Sequence, residues 1–148
     1  MEKKILNNKV LVSGGFDPIH SGHIKLIKEA SNYGEVIILL NSDEWLRNKK
    51  GREFLSFNER EIILNSIKNV IEVIPCGIID KTCIDGIKIA MLRYSESEIF
   101  FANGGDRNSN TTPEKIFCDQ NNIKNLWGIG GDNKSNSSSW ILKRWEQK

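Results

Sequence analysis

This sequence predicts an α/β fold: one parallel sheet of five strands with helices on both faces. Three observations predict it. Short apolar runs alternate along the chain with segments of helical periodicity. The links between them are short, as strands joined by crossover helices require. The second run, Glu35-Val36-Ile37-Ile38-Leu39-Leu40, is apolar on both faces, as a strand inside a parallel sheet should be.

Each element follows in order. Lys9 to Ser13 is the first strand. The glycines Gly14 and Gly15 then turn the chain into a helix over residues 21–33, which Gly34 stops. After the second strand, residues 42–49 form a short helix. Residues 57–68 form another, with Ser56 as N-cap and Glu59 three positions on in a capping-box pattern. Val70 to Ile74 is the third strand, ended by Pro75. Residues 82–94 are helical, with Ile84, Ile87, Ala90 and Met91 on one face. Glu98 to Ala102 is the fourth strand, 113–121 a helix with proline in its first turn, Asn125 to Ile129 the fifth strand, and 139–146 a closing helix. No repeat or linker interrupts the pattern, so residues 1–148 are expected to form a single domain.

Composition narrows the function. The chain carries 21 basic and 19 acidic residues, a balance that offers no footprint for nucleic acid or a membrane surface. No apolar stretch is long enough for a signal peptide or a membrane span. Cys76, Cys83 and Cys118 are odd in number and lack metal-ligand spacing, so reduced thiols, a cytoplasmic location and no protein-held metal are expected.

The chemistry gathers in one segment, Gly14-Gly15-Phe16-Asp17-Pro18-Ile19-His20-Ser21-Gly22-His23, which holds both histidines of the chain. A strand enters a glycine turn, and a helix leaves it with two imidazoles at its mouth. The positive end of a helix suits polyphosphate. Imidazoles beside it can donate to oxygens that gain charge in a transition state.

That segment resembles the HxGH signature of the nucleotidyltransferase superfamily, the cytidylyltransferases and their adenylyltransferase relatives. Two further stretches agree with its small members: Asn41-Ser42-Asp43 followed by Lys49-Lys50-Gly51 and Glu59-Arg60, and Phe101-Ala102-Asn103-Gly104-Gly105-Asp106. The resemblance runs from about Lys9 to Ile141. It implies a Rossmann-like sheet of strand order 3-2-1-4-5, with ligands in the crevice between the first and fourth strands.

It also implies roles. His20, His23 and Lys50 would be catalytic, binding phosphate oxygens as an acceptor phosphate attacks the α-phosphorus of a nucleoside triphosphate. Gly14, Gly15 and Gly22 would let phosphate approach closely, while also permitting a left-handed turn. Phe16 either packs beneath the nucleotide or stacks on it. Asp17 either stabilises the turn or touches the acceptor. Arg60 either binds the acceptor's phosphate or pairs with Glu59 or Glu61. Ala102, Gly104, Gly105 and Asp106 would read the base, or form a turn with a solvated aspartate, and Arg107 would face the acceptor or a phosphate. Ser137, Ser138 and Ser139 would cradle phosphate at the last helix, or cap it. The arginine that family members carry near this run is missing, and Lys134 is the candidate substitute.

The implied reaction is transfer of CMP from CTP to a small phosphorylated metabolite used in surface polysaccharide or lipid biosynthesis. Adenylyl transfer from ATP to a sugar phosphate such as heptose 1-phosphate is the enzyme alternative, and a non-catalytic nucleotide-binding module the other. Mg2+ would arrive with the triphosphate. A homodimer is implied, with Trp127, Trp140 and Trp145 serving either that interface or the core.

Overall fold

The computed structural model describes residues 7–104, 112–130 and 137–147. Its strands are β1 (Lys9–Gly14), β2 (Glu35–Asn41), β3 (Val70–Cys76), β4 (Ile99–Gly104) and β5 (Lys124–Ile129). The helices among the described residues are α1 (Ser21–Ala30), α2 (Asp43–Lys50), α3 (Phe57–Asn65), α4 (Ile84–Arg93), α5 (Pro113–Gln120) and α6 (Ser138–Glu146). All pairings are parallel and the order is β3-β2-β1-β4-β5, as the sequence and its resemblance imply.

Strand alternation divides the core in two. Val10, Val12, Val36, Ile38 and Leu40 face one side, covered by Ile27 and Ala30 of α1 and Leu64 of α3. Leu11, Ile37 and Leu39 face the other, covered by Ile87 and Ala90 of α4 and Cys118 of α5. All are buried, and each larger aliphatic side chain contributes about 1.5–3 kcal/mol on burial. Because β2 is covered on both faces, its sequence shows no polar alternation.

Several boundaries differ from the sequence reading. The predicted helices over 21–33 and 57–68 stop at Ala30 and Asn65. Beyond each, bonds such as Tyr33 N–H to Ala30 C=O and Ile67 N–H to Leu64 C=O tighten the last turn to three-residue spacing. β3 runs through Pro75 to Cys76, because an edge strand tolerates a missing N–H. The helix predicted from residue 82 starts at Ile84, since Asp80 Oδ1 holds the Thr82 N–H in a turn.

Two features position the site. β1 stays paired with β2 as far as Gly14–Leu40, but its pairing with β4 runs only from Lys9–Ile99 to Leu11–Phe101. The two strands therefore part toward their carboxyl ends, opening the crevice where strand order reverses. α6 has no buried residue, and its Trp140 and Trp145 are exposed, so a core role for these two is corrected. Among the described residues, no helix is long and apolar enough to cross a membrane.

Candidate active site

Crowding explains the glycines at the end of β1. A Cβ on Gly14 would stand 3.2 Å from the Phe16 ring, and one on Gly15 only 2.8 Å from Leu46 Cδ2. The left-handed residue of the turn is Phe16 itself, at φ 51°, whereas the sequence reading gave that conformation to the glycines. Phe16 is buried, with its ring 4.7 Å from that of His23. Its ring therefore packs into the core beside His23.

His20 is the N-cap of α1. Its Nδ1 accepts the Gly22 N–H at 3.0 Å, and His23 Nδ1 accepts the His20 N–H at 3.2 Å, so the two imidazoles form a reciprocal capping box. Their rings lie 3.9 Å apart, inclined at 36°. Capping and phosphate binding are compatible here. A ring that accepts at Nδ1 carries its proton on Nε2 and is a neutral donor there. Burial, and secondarily the electrostatic effect of the neighbouring His20 imidazole, push the His23 pKa down from 6.5 to about 3. The pair thus occupies two amides at the helix mouth and leaves the donor capacity of each ring at Nε2.

Asp17 and Arg60, for each of which an acceptor contact is one of two readings, both have structural partners in this geometry. Asp17 is buried, and its Oδ2 and Oδ1 accept the Phe54 and Leu55 N–H groups, both at 2.6 Å. Lys50 Nζ lies 3.1 Å from Asp17 Oδ2 and donates to the Asp17 carbonyl at 2.6 Å. Arg60 is only 1% exposed and pairs with neither Glu59 nor Glu61. Its Nε donates to Leu55 C=O at 3.0 Å and one terminal nitrogen to Gly15 C=O and Asn41 C=O at 2.9 and 2.8 Å. The other terminal nitrogen meets Asp43 Oδ1 at 2.6 Å. One buried cation therefore ties together the ends of β1 and β2, the start of α2 and the segment before α3. Leu55 is gripped through its N–H by Asp17 and through its C=O by Arg60.

The serine run meets this turn from the other end of the chain. Ser137 caps α6 by accepting the Trp140 N–H at 3.1 Å, and its Oγ lies 3.2 Å from Ser139 Oγ. Ser138 donates to the Pro18 carbonyl at 2.8 Å, fixing the start of α6 beside the histidine turn. Between α6 and α2 opens a cleft of about 1280 Å³ floored by Gly15, Phe16 and Asp17. Lys50 lines it. Ala102 and Gly104 lie at the end of β4, with the Ala102 side chain in the core, while Gly22 serves the His20 cap. Gly105, Asp106, Arg107 and Lys134 fall outside the described residues.

Sequence reading missed two supports. Arg47 holds the Glu53 carboxylate by two bonds of 3.0 and 2.8 Å, which draws the Glu53 pKa down to about 2. Asn103, buried at the end of β4, donates to Leu126 C=O at 3.1 Å. A hint lay in the i, i+6 charge pair across Gly51, but nothing local marks Asn103. The thiols of Cys76, Cys83 and Cys118 are free and buried. Burial lifts Cys118 to about 12. Among the described residues, no three carboxylate, imidazole or thiol groups gather to hold a metal ion.

A parallel sheet with its crevice at the β1/β4 divide, and a paired-imidazole turn beside it, defines a nucleotide-site class of α/β protein. The chain belongs to the cytidylyltransferase-like family, whose pattern matches residues 11–141. Over 68 residues it is 38% identical to glycerol-3-phosphate cytidylyltransferase of Bacillus subtilis, covering 45% of this chain and 53% of that protein. Over 75 residues it is 39% identical to FAD synthase of Thermococcus kodakarensis, covering 49% and 50%. Over 64 residues it is 41% identical to the bifunctional protein HldE of Aliarcobacter butzleri, covering 41% and 13%. The chain thus spans about half the length of the first two of these relatives. The crystal structure of the lipopolysaccharide core biosynthesis protein from Thermoplasma volcanium shares the fold, with a TM-score of 0.59 over 80% of this chain and 92% of that one at 19% identity.

Proposed function

We propose that this chain is a cytidylyltransferase that transfers CMP from CTP to a small phosphorylated metabolite and releases pyrophosphate. The observation that carries the reading is the reciprocal imidazole cap. It leaves Nε2–H as the donor of each ring beside the end of β1, where a triphosphate entering the crevice would lie.

In the reaction, an oxygen of the acceptor's phosphate attacks the α-phosphorus in line. A new P–O bond forms as the bond to the β-phosphate oxygen breaks, and that electron pair leaves on pyrophosphate. Such a step needs positioning and charge stabilisation rather than a covalent enzyme intermediate. His20 and His23 donate to the oxygens of the pentacoordinate state, most strongly when charge is greatest. Lys50, held by Asp17 at the edge of the cleft, supplies a cation to the acceptor's phosphate. Mg2+ bound to the triphosphate would screen its charge, and no group of three carboxylate, imidazole or thiol side chains among the described residues would hold it independently.

Similarity to a glycerol-3-phosphate cytidylyltransferase supports CTP. Comparable identity to FAD synthase and HldE keeps adenylyl transfer as the second reading. A pyrophosphate-release screen crossing CTP, ATP, GTP and UTP with phosphorylated metabolites separates them. CTP should exceed UTP and ATP by well over tenfold in kcat/KM. Uracil reverses cytosine's donor–acceptor edge and leaves buried partners unpaired, costing about 1–3 kcal/mol per group. Preference for ATP installs the second reading, and no release with any pair leaves a non-catalytic nucleotide-binding module.

A further inference from the structure

We infer that the cleft between α2 and α6 seats the body of the acceptor, and that this acceptor is a phosphate monoester of a ring-bearing molecule. The inference rests on the transferase reading above and adds to it the class of acceptor.

Size is the first argument. Ligand pockets usually enclose about 300–1,000 Å³, and this cleft, at about 1280 Å³, exceeds that range. Ser137, Ser138 and Ser139 line the same cleft, so nucleotide phosphates would share it, and a three-carbon phosphate beside them would still leave the Trp45–Phe54 and Leu142–Trp145 walls wet.

The walls are the second. Trp45 and Phe54 stand on the α2 side, and Leu142 and Trp145 on the α6 side. Phe54 is 52% exposed and Trp145 77% exposed. Leu142 and Trp145 are three residues apart and so share one helix face. Two apolar walls left open to solvent on either side of a gap are costly unless a ligand with apolar faces enters it. Tryptophan offers such a ligand a broad face for stacking.

Charge is the third. Lys49, Lys50, Arg52, Lys143 and Arg144 line the cleft, against Asp17, Glu53 and Glu146. Asp17 is engaged by Lys50 and Glu53 by Arg47, so the field in the gap is positive and suits a phosphate monoester. The floor is the Gly15–Asp17 turn that leads to His20, which orients such a ligand with its phosphate toward the imidazoles and its ring between the walls. An aryl ring and the C–H face of a sugar present the same chemistry, and the experiment separates them.

Binding is measured on the full chain without nucleotide, by calorimetry, using glycerol 3-phosphate, phenyl phosphate and glucose 1-phosphate. At least one of the two ring-bearing esters should bind more than tenfold tighter than glycerol 3-phosphate, and which one does so names the source. Trp145→Ala should reduce that preference to threefold or less, with melting temperature unchanged because the side chain is mostly exposed. Trp140→Ala is the control on the same helix, outside the cleft lining, and should keep the preference.

Equal affinity for all three esters would overturn the inference, as would a preference that survives Trp145→Ala. A dimer in sedimentation that Trp145→Ala splits would also overturn it, by giving the cleft to a second copy of the chain. Ring-selective binding without any pyrophosphate release strikes the transferase reading alone. Release with glycerol 3-phosphate as efficient as with any ring-bearing ester strikes the acceptor class alone.

Discussion

Replacing Arg60 by methionine separates two jobs that the sequence left open for it. Methionine keeps the length of the side chain and removes the guanidinium. Three carbonyl oxygens, of Leu55, Gly15 and Asn41, then lose a donor at 2.8–3.0 Å, and Asp43 loses its ion pair. Asp43 is partly exposed and can rehydrate, but the carbonyls grouped around Arg60 have less access to water. Breaking a buried charged cluster from one side costs about 3–5 kcal/mol. For a chain of this size that is a drop in Tm of roughly 6–20 °C. Thermal and urea denaturation read it directly, and Arg60→Lys, which keeps the charge without the fork, should recover only part of the loss. A clamp predicts that stability falls most. An acceptor-binding arginine predicts the reverse: a raised KM for the acceptor with Tm within a degree or two of the parent. That second result would refute the clamp.

Further predictions concern the imidazoles, the lysine and the cation. His23→Ala should lower kcat on the order of a hundredfold, with an unchanged circular-dichroism spectrum; near-normal kcat with unchanged KM would remove His23 from the mechanism. Stability should respond to His23 as pH falls below its ordinary value of 6.5. The unfolded chain then binds a proton that native His23 refuses until about pH 3, so His23 alone should reduce stability by about 2 kcal/mol between pH 8 and pH 5. Urea titrations of the parent and of His23→Gln should differ by that amount, and parallel curves would contradict the buried neutral imidazole. Lys50→Ala removes the counter-charge of buried Asp17, so it should cost about 1–2 kcal/mol in denaturation as well as raise the acceptor's KM. EDTA should abolish pyrophosphate release and Mg2+ restore it, whereas metal-independent turnover would defeat the role given to the cation.

The strands were legible because burial on two faces leaves unbroken apolar runs, and the histidine turn because two imidazoles three residues apart at a helix start are a local pattern. Helix ends were less legible, since a last turn tightened to three-residue spacing keeps the same composition. The partners of Arg60 were hidden for a different reason. Its neighbours Glu59 and Glu61 suggest a surface ion pair, yet its partners are main-chain carbonyls from positions 15, 41 and 55, and carbonyls leave no trace in side-chain identity. Asp17 is similar: its partners at 54 and 55 are amides that any non-proline residue would supply. Pro75 misled because a strand at the sheet's edge obeys a looser rule than one inside it.

Leu55, held from both sides by opposite buried charges, has a consequence for the walls of the cleft. The wall formed by the residue 51–55 segment cannot swing out without exposing Asp17 and Arg60 together, so it acts as a fixed gauge. The opposite wall, α6, has no residue in the core and is tied to the histidine turn by the Ser138 hydroxyl. Of the two walls, α6 is therefore the less firmly anchored. For the proposed acceptor, the width to be matched would be set by a buried carboxylate and guanidinium that hold the residue 51–55 wall from behind, through the Leu55 main chain.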